Sequence, residues 1–149
     1  MNNNLGECPL NINLIIPFKD NIGDKQRLHQ RRLNDFKDEL EFRVDELRSS
    51  LPVLFGENFE LAIMARGEAG TKRYYWRFRS NKRDRKYSRL SDAVITDYIR
   101  NFHDSLRLRL GEIEEELIYI NANMKVLNTF RDALDKSKKE LLSARLIQY

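Results

Sequence analysis

Hydrophobic and polar positions alternate with two distinct periods along this chain, and the switch between them divides it into elements. Leu10, Ile12, Leu14, Ile16 and Phe18 share one parity. Period two is the mark of a half-buried strand, so residues 1–20 are expected to hold an N-terminal strand or arm. Pro17 fits an edge position. From Asp24 the period lengthens. Leu33, Phe36, Leu40, Val44, Leu47 and Leu51 recur at steps of three and four, with Arg31, Arg32, Lys37, Asp38, Glu41, Arg43 and Glu46 between them. That pattern predicts an amphipathic helix over 24–51. Pro52 is expected to stop it, because the residue before a proline avoids the helical region.

Phe59 to Arg66 and Thr71 to Arg79 return to period two. They predict a β-hairpin within a segment 58–90, joined by a four-residue loop, Gly67-Glu68-Ala69-Gly70. In the second strand Tyr74, Trp76 and Phe78 share one parity and should face the core. Arg73, Tyr75, Arg77 and Arg79 share the other and should face solvent. Ser80 to Arg89 is a polar basic stretch, a loop or a short third strand around Tyr87. Residues 91–147 then predict a long helical region, with Ser91 as N-cap. In it Leu106, Ile113, Ile120, Leu127, Leu134 and Leu141 lie seven apart, with Leu110, Leu117 and Met124 between. Sustained heptads mean a coiled-coil-like seam. Its intermediate positions become Arg131, Lys138 and Arg145, so the far half should be less buried. Gly111 and Asn121 to Asn123 are the expected breaks. The fold class that follows is α+β in a single domain. A long antiparallel helical hairpin carries a small antiparallel β-sheet built on the β-hairpin. Leftover seam would support a homodimer.

The chain has 149 residues, 41% hydrophobic and 34% charged. That is enough for a core, with a salt-laced surface. No apolar run approaches a membrane span. Cys8 is the one cysteine, so a reducing compartment fits. The start, Met-Asn-Asn-Asn-Leu, lacks the pattern of a signal peptide, and a cytoplasmic location is expected.

Charge changes the picture most. Net charge is +4 overall, but residues 66–89 hold ten cations and two carboxylates, a net +8. The rest carries 17 cations against 21 anions, a net −4. Tyr74, Tyr75, Trp76, Phe78 and Tyr87 are interleaved with the basic residues. Cations that displace condensed counterions, and arginines that make paired bonds to phosphate or guanine, are what nucleic-acid binding needs. Arg73, Arg77, Arg79, Lys82, Arg83, Arg85 and Lys86 are the expected contacts with DNA or RNA. Tyr75 is the expected stacking residue. An arginine-rich sheet face that pairs with acidic helix residues of its own fold, or with an acidic protein, explains the same composition.

Catalytic chemistry is not indicated. His29 and His103 lie in no metal-ligand spacing and are expected at the helix surface or boundary. Gly67 and Gly70 lack the context of a phosphate loop. Glu112, Glu114, Glu115 and Glu116 should fan around a helix surface, Glu112 and Glu116 near Arg107 and Arg109. No enzyme, metal or cofactor is expected.

From Gly70 onward the chain resembles a family of small uncharacterised proteins encoded in bacterial integrative and conjugative elements. The residues that carry the resemblance are Thr71 after the Gly-rich turn, Tyr75-Trp76-Arg77, Asp84-Arg85 and the run from Ile120 to Thr129, followed by a lysine-rich helical tail. Ala122 and Asn128 depart from the family's methionine and histidine. The resemblance implies a mobile-element setting and action on DNA or on the host's response to it. The leading expectation is a nucleic-acid-binding accessory protein. The alternative is a protein-binding inhibitor or adaptor, such as an anti-CRISPR, that grips an acidic or nucleic-acid-binding host protein.

Overall fold

A computed structural model describes residues 24–80 and 85–147 of the chain. The N-terminal alternating segment lies outside the described residues, as do Lys82 and Arg83. The fold is α+β, with elements in the order α1 (Asp24–Phe55), β1 (Leu61–Glu68), β2 (Thr71–Phe78), α2 (Ala93–Ile99) and α3 (Asp104–Ile147). Contacts among the described residues gather into two compact units, Leu40–Lys125 and the described residues on either side of it in the chain.

The larger unit holds the sheet. Its core joins Val44, Leu47 and Leu51 of α1 to Leu110, Ile113 and Leu117 of α3, under the inner face of β1 and β2. Leu61 and Ile63 point inward from β1, and Tyr74, Trp76 and Phe78 from β2. The aromatic parity is therefore the core parity, as its pattern predicts. Along β2 from Lys72 to Trp76, the partners on α1 rise and those on α3 fall. Lys72 reaches Glu41, and Ile63, opposite Trp76, accepts from Arg48. Tyr74 meets Asn121, whereas Arg89, just after Trp76's bridge partner Ser88, meets Glu114. The two helices thus run in opposite directions across the sheet, as an antiparallel hairpin requires. The smaller unit buries Leu33, Leu127 and Leu134.

Several boundaries differ from the sequence pattern. Helix α1 passes through Pro52 and ends one turn later at Phe55. Gly56, at φ 85°, supplies the left-handed cap residue and donates to the Pro52 carbonyl at 3.0 Å. Stacking of Phe55 on Phe59, with ring centroids 4.6 Å apart, holds that extra turn. The hairpin loop has two residues, not four. Gly67 and Glu68 stay in the ladder, and Ala69 and Gly70 turn the chain with φ 46° and 80°. Positive φ at both positions is what a type I′ turn demands, and its twist matches that of the strands.

The helical region after residue 90 has Asp92, not Ser91, at its N-cap position, and it breaks at residues 100–103 rather than at Gly111 or Asn121. Phe102 turns in against Phe59 and Tyr98 there. His103 then caps α3: its Nδ1 accepts the Ser105 N–H at 3.2 Å and its carbonyl accepts from Leu106. The heptad seam of α3 is buried through Leu134, and beyond Ser137 the described side chains are exposed. His29 is not a surface residue. It is 4% exposed and meets Phe130 edge-on at 6.5 Å, because the alternation of α1 turns it inward beside Leu33.

Candidate nucleic-acid interface

The register of the hairpin decides which cations share a surface. Arg66 lies opposite Arg73, Met64 opposite Tyr75 and Ala62 opposite Arg77. These pairs form the outer face of the sheet, since side chains alternate across a strand. The arginine parity therefore points away from the core. Arg66 and Arg73 are 56% and 51% exposed at their side chains, and both approach the single carboxylate Glu68 at 3.9 Å. One anion between two guanidinium groups leaves this end of the face positive.

Two tyrosines organise the arginines. Tyr75 and Tyr87 meet edge to face with centroids 6.1 Å apart. Arg73 and Arg89 lie 5.6 and 5.3 Å from the Tyr75 ring, and Arg77 and Arg66 lie 4.9 and 5.7 Å from the Tyr87 ring. Each is within the range of a cation–π contact, which holds a long flexible side chain against the sheet. The Tyr75 hydroxyl donates to Glu68 at 2.9 Å. Burial first, and then that hydrogen bond, raises the pKa of Tyr75, so it is a neutral phenol at physiological pH.

The predicted contact residues divide into two groups. Arg73, Arg79, Arg85 and Lys86 are exposed, as expected of residues that meet a ligand. Arg77 is only half-exposed. Its Nε donates to the Arg85 carbonyl at 2.5 Å and its Nη1 to the Tyr87 hydroxyl at 3.5 Å, so it braces the segment after β2. Arg85 Nε returns a bond to the Phe78 carbonyl at 3.3 Å. Tyr75 is half-buried and hydrogen-bonded rather than an open stacking platform.

Other basic residues of the segment serve the fold, as the second explanation of its composition proposed. Lys72 pairs with Glu41 at 3.4 Å. Arg89 pairs with Glu114, and its Nη1 donates to the Tyr74 carbonyl at 3.0 Å. Burial lowers the pKa of Arg89, and the neighbouring charge of Arg73 adds to this, yet an arginine stays charged throughout the working pH range. Glu114 departs from the expected surface fan. Its side chain is 12% exposed and also accepts the Leu90 N–H at 2.5 Å. Glu116 likewise forks onto Arg43 of α1, while Glu112 takes Arg109 at 2.8 Å. Arg107 bonds Asp104 instead.

The outer edge of β2 is closed by side chains and by a short bridge. Trp76 exchanges backbone bonds with Ser88 at 3.0 and 2.9 Å. At Tyr74 a side chain replaces the strand: Asn121 Oδ1 accepts the Tyr74 N–H at 2.7 Å, and its Nδ2 donates to the Tyr74 carbonyl at 2.9 Å. A carboxamide offers both an acceptor and a donor, so it mimics the peptide group of a neighbouring strand. Closing the edge this way blocks edge-to-edge pairing.

Composition and parity alone do not single out Arg66 as a contact. Register was the missing signal: a two-residue turn at Ala69-Gly70 puts Arg66 beside Arg73. Among the described residues no group of histidine, cysteine or carboxylate side chains could hold a metal ion, and no helix is long and apolar enough to cross a membrane. No family model, curated protein or solved structure matches this chain.

Proposed function

We propose that the outer face of the hairpin binds nucleic acid, as a non-enzymatic accessory protein would. The observation that carries this reading is the pairing of exposed Arg66 and Arg73 on a sheet face that offers Glu68 as a carboxylate, followed in the chain by exposed Arg79, Arg85 and Lys86. Cation–π contacts hold Arg66 and Arg73, and their neighbours Arg77 and Arg89, in place before a ligand arrives, which lowers the entropic cost of binding. The mobile-element setting rests on the resemblance of Thr71, Tyr75-Trp76-Arg77 and the Ile120–Thr129 run.

The test is fluorescence anisotropy of labelled oligonucleotides across a salt series. Binding should weaken steeply with salt. Replacing Arg66, Arg73, Arg79 and Arg85 by alanine should reduce the slope of log K against log salt by roughly 3. Absence of binding at low salt refutes the reading.

A second reading, association with another copy of the chain, is favoured by one observation. Leu141, Leu142 and Leu146 are exposed on the last turns of α3. Sedimentation of the full chain distinguishes it: a dimer that Leu142→Ser dissolves supports association, and a monomer at high concentration rejects it.

A further inference from the structure

We infer that the strand recognised at this face is single, and that a groove beside β2 receives one unpaired nucleotide; this rests on the nucleic-acid reading above. The groove encloses about 620 Å³, within the range of small-ligand sites. Arg73 and Arg89 form one wall. Ile118, Asn121, Ala122 and Lys125 of α3 form the other.

Ser91 also lines the groove as an exposed residue, and the deeper polar groups are committed to the protein itself. The Asn121 amide is bonded to the Tyr74 backbone, and Glu114 neutralises Arg89 while accepting the Leu90 N–H. What the groove presents to a ligand is therefore an apolar strip with cations beside it. Ile118 is 51% exposed and lies one helical turn from Ala122, so the two form a continuous apolar ridge. Arg73 and Lys125 are exposed cations at the rim.

An apolar strip with cations beside it is complementary to a nucleotide, whose base is a flat apolar plate joined to an anionic phosphate. In a duplex those base faces are hidden in the stack, and an unpaired strand alone can offer them. Tyr75 is less suited to the task, because its hydroxyl is held by Glu68 and its ring already carries Arg73 and Arg89. Arg73 belongs both to the groove and to the outer face, so a strand can pass from one to the other without leaving positive potential.

The experiment is fluorescence anisotropy at low salt with the full chain and three probes: an oligodeoxyuridylate of about 12 nucleotides, the matching ribo-oligouridylate and a blunt duplex of similar length. Wild type should bind one or both single strands about tenfold more tightly than the duplex. Ile118→Glu should weaken single-strand binding by about tenfold and leave duplex binding within about twofold. The preferred single strand identifies the sugar. Ala122→Gln, a second exposed helix position, should act in the same direction, and unchanged Trp76 emission verifies the fold of both variants. Equal affinity for duplex and single strand overturns the inference. So does unaltered single-strand binding by both groove variants when Arg66→Ala weakens it, a result that leaves the nucleic-acid reading intact. No binding of any probe overturns both.

Discussion

Replacing Asn121 with leucine isolates the contribution of the side chain that stands in for a third strand. The two side chains have the same branching and number of heavy atoms, with leucine the larger, so no cavity is created. Two hydrogen bonds disappear, at 2.7 Å from the Tyr74 N–H and at 2.9 Å to the Tyr74 carbonyl. The losses are unequal. The carbonyl keeps Arg89 Nη1 at 3.0 Å, whereas the N–H is left buried without a partner. A stranded buried donor costs about 1–3 kcal/mol, and a shared acceptor less. The expected destabilisation is about 2–3 kcal/mol, against a total stability of about 5–15 kcal/mol for a typical domain. The chain has one tryptophan, and Trp76 sits two residues along the same edge, fully buried. Urea unfolding followed by Trp76 emission therefore reports on this region directly. A variant within about 0.5 kcal/mol of wild type would refute the strand-mimic account, because it would mean the amide's bonds are replaced at no net cost.

The remaining predictions concern the turns, the caps and the phenols. Ala69→Asn creates an Asn-Gly turn suited to positive φ at both positions, and should raise stability by about 0.5–1 kcal/mol in the same assay. Gly56→Ala should lower it by about 1 kcal/mol. An added Cβ there meets nothing within 4 Å, so the penalty is that of φ 85° alone. Burial raises the pKa of both Tyr74 and Tyr75. The folded state then holds those protons more tightly than the unfolded chain. The stability they confer is full below the ordinary tyrosine value of about 10 and is lost as pH rises through the raised values. Absorbance at the phenolate band should show a late-titrating component that Tyr75→Phe diminishes. Arg43→Ala breaks the fork onto Glu116, yet both groups are substantially exposed, so its cost should stay near 1 kcal/mol or below.

Much of the fold was legible because burial writes itself onto spacing. The parity of Tyr74, Trp76 and Phe78 and the heptads from Leu110 to Leu134 are buried as their pattern predicts. What could not be read depends on partners far along the chain. Asn121 has the composition of a helix break, and its role appears only with Tyr74, 47 residues away, beside it. The break at residues 100–103 arises where Phe102 turns into the core and His103 caps the next helix, a tertiary choice that propensity does not encode. His29 looked like a surface residue until Phe130 of a distant helix covered it. For the candidate interface, charge and parity identified the outer face. They could not separate Arg73, exposed to solvent, from Arg77 and Arg89, which brace the structure. That division depends on the carbonyls of Arg85 and Tyr74 and on the carboxylate of Glu114.

The most direct measurement of the central claim is an NMR titration of the labelled full chain with an unlabelled oligonucleotide, read at backbone amides and arginine side-chain N–H groups. The account predicts the largest shifts at Arg66, Arg73, Tyr75, Arg79 and Arg85, with Lys138 to Leu146 of α3 unaffected. Shifts confined to the end of α3, or none at low salt, would contradict it.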